Sequence, residues 1–168
     1  LYTVDGGKNS AGMNLAELAD RMAELGCETA LNLDGGGSTS MGAIYPGYTS
    51  GATVNQPEDG ALRPCANFIF LVRETKKASD ADALCIYPYG VQGVLPGAQV
   101  SMSVKAIDEA YMAAELPGSV FFDADGGKIT SKGVLTVDED ASGFVTVSAV
   151  CGDLSAKVKL PVLDTITE

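Results

Sequence analysis

The stretch Ala-Leu-Asn-Leu-Asp-Gly-Gly-Gly-Ser-Thr, residues 30–39, is the most informative part of this sequence. The apolar segment from Thr29 to Leu33 predicts a short buried strand that ends at Asp34. Three glycines and two hydroxyl residues follow, and successive N–H groups in such a turn can bind an anion. Because Asn32 and Asp34 are two residues apart, a strand would point both side chains to the same side. A tight turn with a solvated Asp34 is the alternative interpretation of the same residues.

The residues around this stretch predict one helix and two more strands. Apolar residues at helical spacing run from Leu15 to about Leu25, and Asn14 and Glu17 are placed to form a capping box at the start. The segments from Leu1 to Val4 and from Asn67 to Val72 have the composition of strands. The first part of the chain is therefore predicted to mix helix and sheet.

A charged stretch without apolar periodicity, residues 73–82, predicts a linker between residues 1–72 and a second region at residues 83–168. The second region alternates apolar and polar residues with a period of two. The turn Gly152-Asp153 joins two such segments and predicts a hairpin. Because about seven short strands are predicted in it, the second region is expected to be an antiparallel β-sandwich. The fold class of the whole chain is expected to be α+β.

Composition and charge exclude several classes of function. The 168 residues include 22 acidic and 11 basic side chains, and the net charge of -11 would repel nucleic acid. The chain contains no histidine, so it cannot by itself build a Ser-His-Asp system or a His-ligated zinc site. Phe68 to Val72 is far too short an apolar run to span a membrane. We expect no cofactor, no metal, no nucleic-acid partner and no membrane span.

The four cysteines, Cys27, Cys65, Cys85 and Cys151, have irregular spacings and no CxxC pair. All four lie in apolar surroundings, where a free cysteine commonly packs as a small hydrophobic residue. They are therefore predicted to be free thiols in the core rather than disulfides.

Arg63 lies near the end of a polar loop, about residues 42–64, that is rich in glycine and proline. Just before the start of the strand predicted from Asn67, an arginine could hold a phosphate with two hydrogen bonds. The alternative is a surface arginine that pairs with Glu58 or Asp59.

Several segments together resemble the phosphodiester glycosidase family. They are Asn14-Leu-Ala-Glu-Leu-Ala, Leu25-Gly-Cys, the run from Ala30 to Met41, and Arg63-Pro-Cys-Ala-Asn-Phe. The resemblance covers residues 1–72 and implies only the C-terminal part of that family's longer mixed α/β domain. Asp5 matches an acid at the end of a strand in the family, whereas Gly7 stands where the family usually has an arginine.

The resemblance implies hydrolysis of a sugar-1-phosphodiester, of the N-acetylglucosamine type, to free sugar and a phosphomonoester. An oxocarbenium-like transition state needs a carboxylate near the anomeric carbon and a clamp for the phosphate. On this basis Asp34 and Asp5 are the candidate catalytic carboxylates. The candidate substrate-binding residues are Asn32, Gly35, Gly36, Gly37, Ser38, Thr39, Arg63 and Asn67.

The second region resembles the bacterial Ig-like modules of surface proteins, on the segments from Gly127 to Thr136 and from Gly143 to Ala149. This implies a secreted or cell-surface protein. The partners expected are the substrate, the missing N-terminal part of the glycosidase domain and, through exposed surfaces of the first region, a second copy of the chain. The chain alone is expected to be weakly active or inactive. The alternative function is a non-catalytic cell-surface module that binds glycan or acts as a spacer.

Overall fold

A computed structural model of the chain describes residues 1–7, 10–58, 60–72, 80–89 and 91–163. These residues form two compact units. The first consists of Leu1–Tyr45 and Ser50–Val72, and the second of Pro46–Thr49 and the chain from Arg73 onward. The described elements, in chain order, are α1 (Leu15–Glu24), β1 (Gly42–Ala43), β2 (Ala52–Thr53), β3 (Ala83–Pro88), β4 (Gln99–Ile107), β5 (Ala113–Ala114), β6 (Phe121–Asp125), β7 (Gly127–Ile129), β8 (Val134–Val137), β9 (Phe144–Cys151) and β10 (Leu154–Pro161).

Helix α1 of the first unit begins with the predicted capping box. The Asn14 side chain accepts hydrogen bonds from the N–H groups of Ala16 at 2.9 Å and Glu17 at 3.0 Å. The Glu17 carboxylate accepts the N–H of Asn14 at 2.8 Å. These bonds satisfy N–H groups that a helix leaves without partners in its first turn. The predicted helix is therefore confirmed, although none of its residues is buried.

The three strands predicted in the first unit are wrong for the described residues. The segments from Leu1 to Val4, from Thr29 to Leu33 and from Asn67 to Val72 have no strand assignment. Among the described residues of this unit, the only pairing joins β1 to β2. A strand needs a hydrogen-bonded neighbour, and the described part of this unit offers none to these segments. Their apolar side chains remain exposed, with Leu31 83% and Phe70 74% accessible.

The second unit contains two antiparallel sheets. One has the strand order β10-β9-β6, and the other has the order β3-β4-β8-β7 with β5 also paired to β4. Leu154 pairs with Cys151 across the turn at Gly152-Asp153, so the predicted hairpin is confirmed. Gly126, with φ of 85°, lies where the chain leaves β6 in one sheet and enters β7 in the other.

Alternating residues of both sheets build a large apolar cluster, and a smaller buried cluster contains Leu84, Ala106 and Cys151. Because successive side chains of a strand point to opposite faces, the period-two pattern of β4, β9 and β10 places every second residue inward. The large cluster contains Ile86, Val94, Val100, Met102, Leu135, Val137, Val145, Val147, Ala149 and Leu160. The antiparallel, β-rich character predicted for this part of the chain is confirmed.

The segment Pro46–Thr49 belongs to this second unit although the chain enters and leaves it from the first. The Tyr87 hydroxyl donates to the carbonyl of Pro46 at 2.8 Å, and the rings of Tyr48 and Tyr87 meet edge to face with centroids 5.3 Å apart. Gly47 is buried, and a Cβ on it would lie 2.6 Å from Cβ of Lys105. A division of the chain at one linker does not anticipate this segment, and the predicted linker residues 73–79 lie outside the described residues.

The four cysteines are all free, but they differ in burial. Cys151 is fully buried and Cys85 is half-buried, whereas Cys27 and Cys65 are exposed. The prediction of four core thiols is therefore wrong for Cys27 and Cys65. Both lie in segments of the first unit that have no buried core in the described residues.

Candidate active site

Residues 34–39 form a glycine-rich turn, and its three glycines are exposed. The Asp34 carboxylate accepts the N–H of Gly35 at 3.1 Å, and the N–H of Thr39 donates to the carbonyl of Gly36 at 2.9 Å. Gly36 has φ of 116°, a backbone conformation that a residue with a Cβ rarely adopts. The glycine at this position is therefore required by the turn itself.

Asp5 is held by two hydrogen bonds from a loop fifty residues away. The side chain of Asn55 donates to Oδ1 of Asp5 at 2.8 Å, and the backbone N–H of Gln56 donates to Oδ2 at 2.8 Å. Asn55 also donates to the carbonyl of Thr39 at 2.8 Å and accepts the N–H of Met41 at 2.8 Å. Asn55 thereby connects the Asp5 carboxylate to the end of the glycine-rich turn.

Glu58 makes a second connection between the same two segments. Its N–H donates to the carbonyl of Gly37 at 2.8 Å. Its carboxyl group lies against two glycines, because a Cβ on Gly7 would be 2.6 Å from Cδ of Glu58 and a Cβ on Gly37 would be 2.7 Å from Oε2. Glycine at both positions leaves the space that this carboxylate occupies, and Gly7, with φ of 70°, also has a backbone conformation that favours glycine.

An open cleft of about 380 Å³ lies beside these residues in the first unit. It is lined by Thr53, Asn55, Gln56, Pro57, Gly60, Ala61 and Leu62. Asn55 and Gln56, the residues that hold Asp5, therefore also form part of the cleft wall. Arg63 follows directly after the last lining residue in the sequence.

The predicted site residues fall into two groups. Asp5, Ser38 and Thr39 are half-buried, and Asn55 joins the first of them to the last. Exposed positions are found for Asn32, Asp34, Gly35, Gly36, Gly37, Arg63 and Asn67. The convergence of Asn32, Asp34 and Arg63 on one cleft stays a prediction, and Asp59, one alternative partner of Arg63, lies outside the described residues.

Asn55 and Glu58 are the residues that sequence reasoning missed. They belong to a polar loop with Pro57 between them, and polar residues beside proline are ordinary in turns. Their importance comes from contacts with Asp5, Gly7 and Gly37, which are distant in the sequence. No local pattern of residue types carries that information.

Among the described titratable groups of the first unit, Arg21 has a clear pKa shift. A hydrogen bond with Tyr2 and then one with Glu24, 3.0 Å away, raise the pKa of Arg21 above its ordinary value. The contact with Tyr2 places the start of the chain beside helix α1.

In the parts of the chain that the structure describes, no three side chains of the His, Cys, Asp or Glu types are arranged to hold a metal ion. No described helix has the length and apolar character needed to cross a bilayer.

Comparison with known proteins identifies the first region. Residues 1–72 match the family model described as phosphodiester glycosidase. A search of curated proteins finds no match. The match covers the segments that hold Asp5, the glycine-rich turn, Asn55 and Arg63. Residues 1–72 of this chain are therefore similar to the phosphodiester glycosidase family.

Proposed function

We propose that residues 1–72 are the C-terminal part of a domain that hydrolyses a sugar-1-phosphodiester of the N-acetylglucosamine type. In this reaction water adds across the bond between the anomeric carbon and the phosphate oxygen. The free sugar takes the hydroxyl group, and the phosphomonoester keeps the bridging oxygen and gains the proton. The observation that carries the proposal is the Asp5 carboxylate, fixed by Gln56 and by Asn55, which also lines the cleft and bonds the end of the glycine-rich turn, in a region similar to this family.

The roles follow from the charges that develop during hydrolysis. An oxocarbenium-like sugar is stabilised by a carboxylate close to the anomeric carbon. Most glycoside hydrolases use a pair of carboxylates for the reaction. Asp5 and Asp34 are the candidates for this pair. The phosphate would be held by N–H groups of Gly35 to Gly37, the hydroxyls of Ser38 and Thr39, and the guanidinium of Arg63. Asn32 and Asn67 would bind hydroxyl groups of the sugar.

The exposed apolar segments support an incomplete domain. Phe68 to Val72 and Leu31 present large hydrophobic side chains to water in the described structure, without strand partners. Contiguous exposed apolar residues of this kind usually mark a surface that another element covers. The proposed occupant is the upstream part of the same domain, which would pair with these segments and complete the site. A second copy of the chain on the same surface is the other outcome of the test.

The test compares this chain with a longer protein that includes the upstream part of the domain. Both are assayed on an aryl or sugar 1-phosphodiester, and their masses in solution are measured. We expect turnover from the longer protein and little or none from the chain alone. The longer protein with Asp5→Asn or Asp34→Asn should lose most of its turnover. Full turnover in both of these variants, or in the chain alone, would contradict the proposal.

A non-catalytic surface module is the second candidate. The exposure of Asn32, Asp34, Arg63 and Asn67 favours it, because a glycosidase normally shields the reacting groups from water. The second unit would then be an Ig-like β-sandwich that, with the first, binds glycan or spaces another domain at the surface of a bacterial cell. Binding of a sugar phosphodiester by the longer protein without any turnover would support this candidate over the enzyme.

A further inference from the structure

The side chain of Asn55 uses all the principal hydrogen-bonding groups of its amide. Nδ2 donates both of its hydrogens, to Oδ1 of Asp5 and to the carbonyl of Thr39, and Oδ1 accepts the N–H of Met41. All three distances are 2.8 Å, and the side chain is half-buried. No other residue type supplies two donors and an acceptor on so short a side chain. The site therefore specifies asparagine at this position.

The two bonds to Asp5 come from different kinds of group. The bond to Oδ2 comes from the backbone of Gln56 and depends only on the path of the chain. The bond to Oδ1 comes from the side chain of Asn55. The terminal torsion of an aspartate is broad, so one bond leaves the carboxylate free to turn whereas two bonds fix its plane. The orientation of the Asp5 carboxylate thus depends on Asn55.

The same amide also fixes the end of the glycine-rich turn. Thr39 and Met41 lie on either side of Ser40, and both are bonded to Asn55 through their backbone groups. A shift of Asn55 would therefore move the carboxylate and the turn relative to each other. In hydrolysis, such a displacement of a reacting group by about 1 Å can lower the rate by about a hundredfold.

We propose that Asn55 is a positioning residue, which sets the orientation of the Asp5 carboxylate against the glycine-rich turn. This inference rests on the proposed function, in which Asp5 acts on the sugar phosphodiester. The amide of Asn55 spends both hydrogens and its oxygen on Asp5, Thr39 and Met41, so in this inference it acts through Asp5. Its contribution should therefore appear in the rate of the chemical step more than in the binding of substrate.

The experiment uses three variants in the protein that carries the upstream part of the domain. Asn55→Ala removes both donors and the acceptor. Asn55→Asp keeps the shape and an acceptor for Met41, but it replaces the group that donates to Asp5 and to the carbonyl of Thr39 by a carboxylate oxygen. Gln99→Ala is the matched control, because it removes an exposed side-chain amide from strand β4, which contributes no residue to the candidate site.

Two readouts are needed, hydrogen exchange at the N–H of Met41 and kinetics on the sugar phosphodiester. Asn55→Ala should speed exchange at Met41 at least tenfold, whereas Asn55→Asp should leave it within about threefold of the wild type. Both variants should lower kcat at least tenfold with KM changed less than about threefold. Gln99→Ala should change neither quantity by more than about threefold.

The outcomes separate this inference from the proposed function. If the wild type turns over the sugar phosphodiester and Asn55→Asp has the kcat of Gln99→Ala, the positioning role is wrong and the proposed function stands. If the wild type does not turn over any sugar phosphodiester, the proposed function fails, and the positioning role fails with it. Should Asn55→Ala lose its fold, exchange in helix α1 would show it, and Asn55→Asp would decide the question.

Discussion

The two units of this protein differ in how their backbone groups are hydrogen-bonded and in how far their apolar side chains are buried. The second unit pairs its long strands with one another and buries a core that includes Leu135, Val145 and Val147. In the first unit, the described strands are two residues long and no apolar side chain is buried. What order it has comes from side-chain hydrogen bonds at Asn14 and Asn55. The difference shows that side-chain hydrogen bonds can order a segment that has no buried core among its described residues.

The thiols provide the largest expected contrast between the units. Cys27 and Cys65 are exposed, whereas Cys151 is fully buried and can react only when the second unit opens. Since small proteins are stable by about 5–15 kcal/mol, Cys151 should be labelled about a thousandfold or more slowly than the exposed pair. Mass spectrometry of the native protein after short exposure to a thiol reagent measures the rates. The denatured chain, in which all four should react alike, is the control, and equal native rates would remove the distinction between the units.

Truncation of leucines in the two units should have unequal effects on stability. Leu135 has no exposed surface, so Leu135→Ala should lower the free energy of unfolding by about 2–5 kcal/mol. Leu31 is largely exposed, and Leu31→Ala should change it by no more than about 0.5 kcal/mol. Urea denaturation of the two variants measures both changes. A comparable loss in Leu31→Ala would mean that the first unit has a core of its own.

A pair of glycines tests whether Pro46–Thr49 is an integral part of the second unit. Gly47 and Gly143 both have positive φ, at 77° and 71°, but only Gly47 would bring a Cβ into a neighbouring residue. Gly143→Ala should cost about 1–2 kcal/mol through the backbone alone. Gly47→Ala should cost about 1–3 kcal/mol more, because its Cβ displaces Lys105. Equal unfolding free energies for the two variants would show that the segment detaches easily.

The helix cap should give the smallest effect. Helix α1 has no buried face, so it depends on Asn14 and Glu17 more than a packed helix would. Asn14→Ala should destabilise the helix by about 1 kcal/mol and speed hydrogen exchange at the N–H groups of Ala16 and Glu17 about fivefold. Asn14→Asp keeps the acceptor and should exchange like the wild type. Unchanged exchange in Asn14→Ala would indicate that packing holds the helix.

The sequence predicted those features that depend on neighbours along the chain. The capping box at Asn14, the hairpin at Gly152 and the inward residues of β9 need only spacing and residue type, and all are present. The strand predicted from Thr29 to Leu33 is absent because a strand depends on a partner that spacing does not specify. For the candidate site, Asp5 and the glycine-rich turn could be selected from the sequence. Asn55 could not, since its significance lies in a bond across fifty residues.

The tetrapeptide Pro46–Thr49 has a consequence for how this protein can be divided. The second unit is assembled from two separate stretches of chain, and the shorter one lies inside the family-matched region 1–72. An exchange of gene segments at the boundary after residue 72 would transfer β3 and β4 without the tyrosine that packs against them. A chimera that keeps the second unit but replaces residues 1–72 by another domain therefore needs Pro46–Thr49 inserted into a loop of that domain.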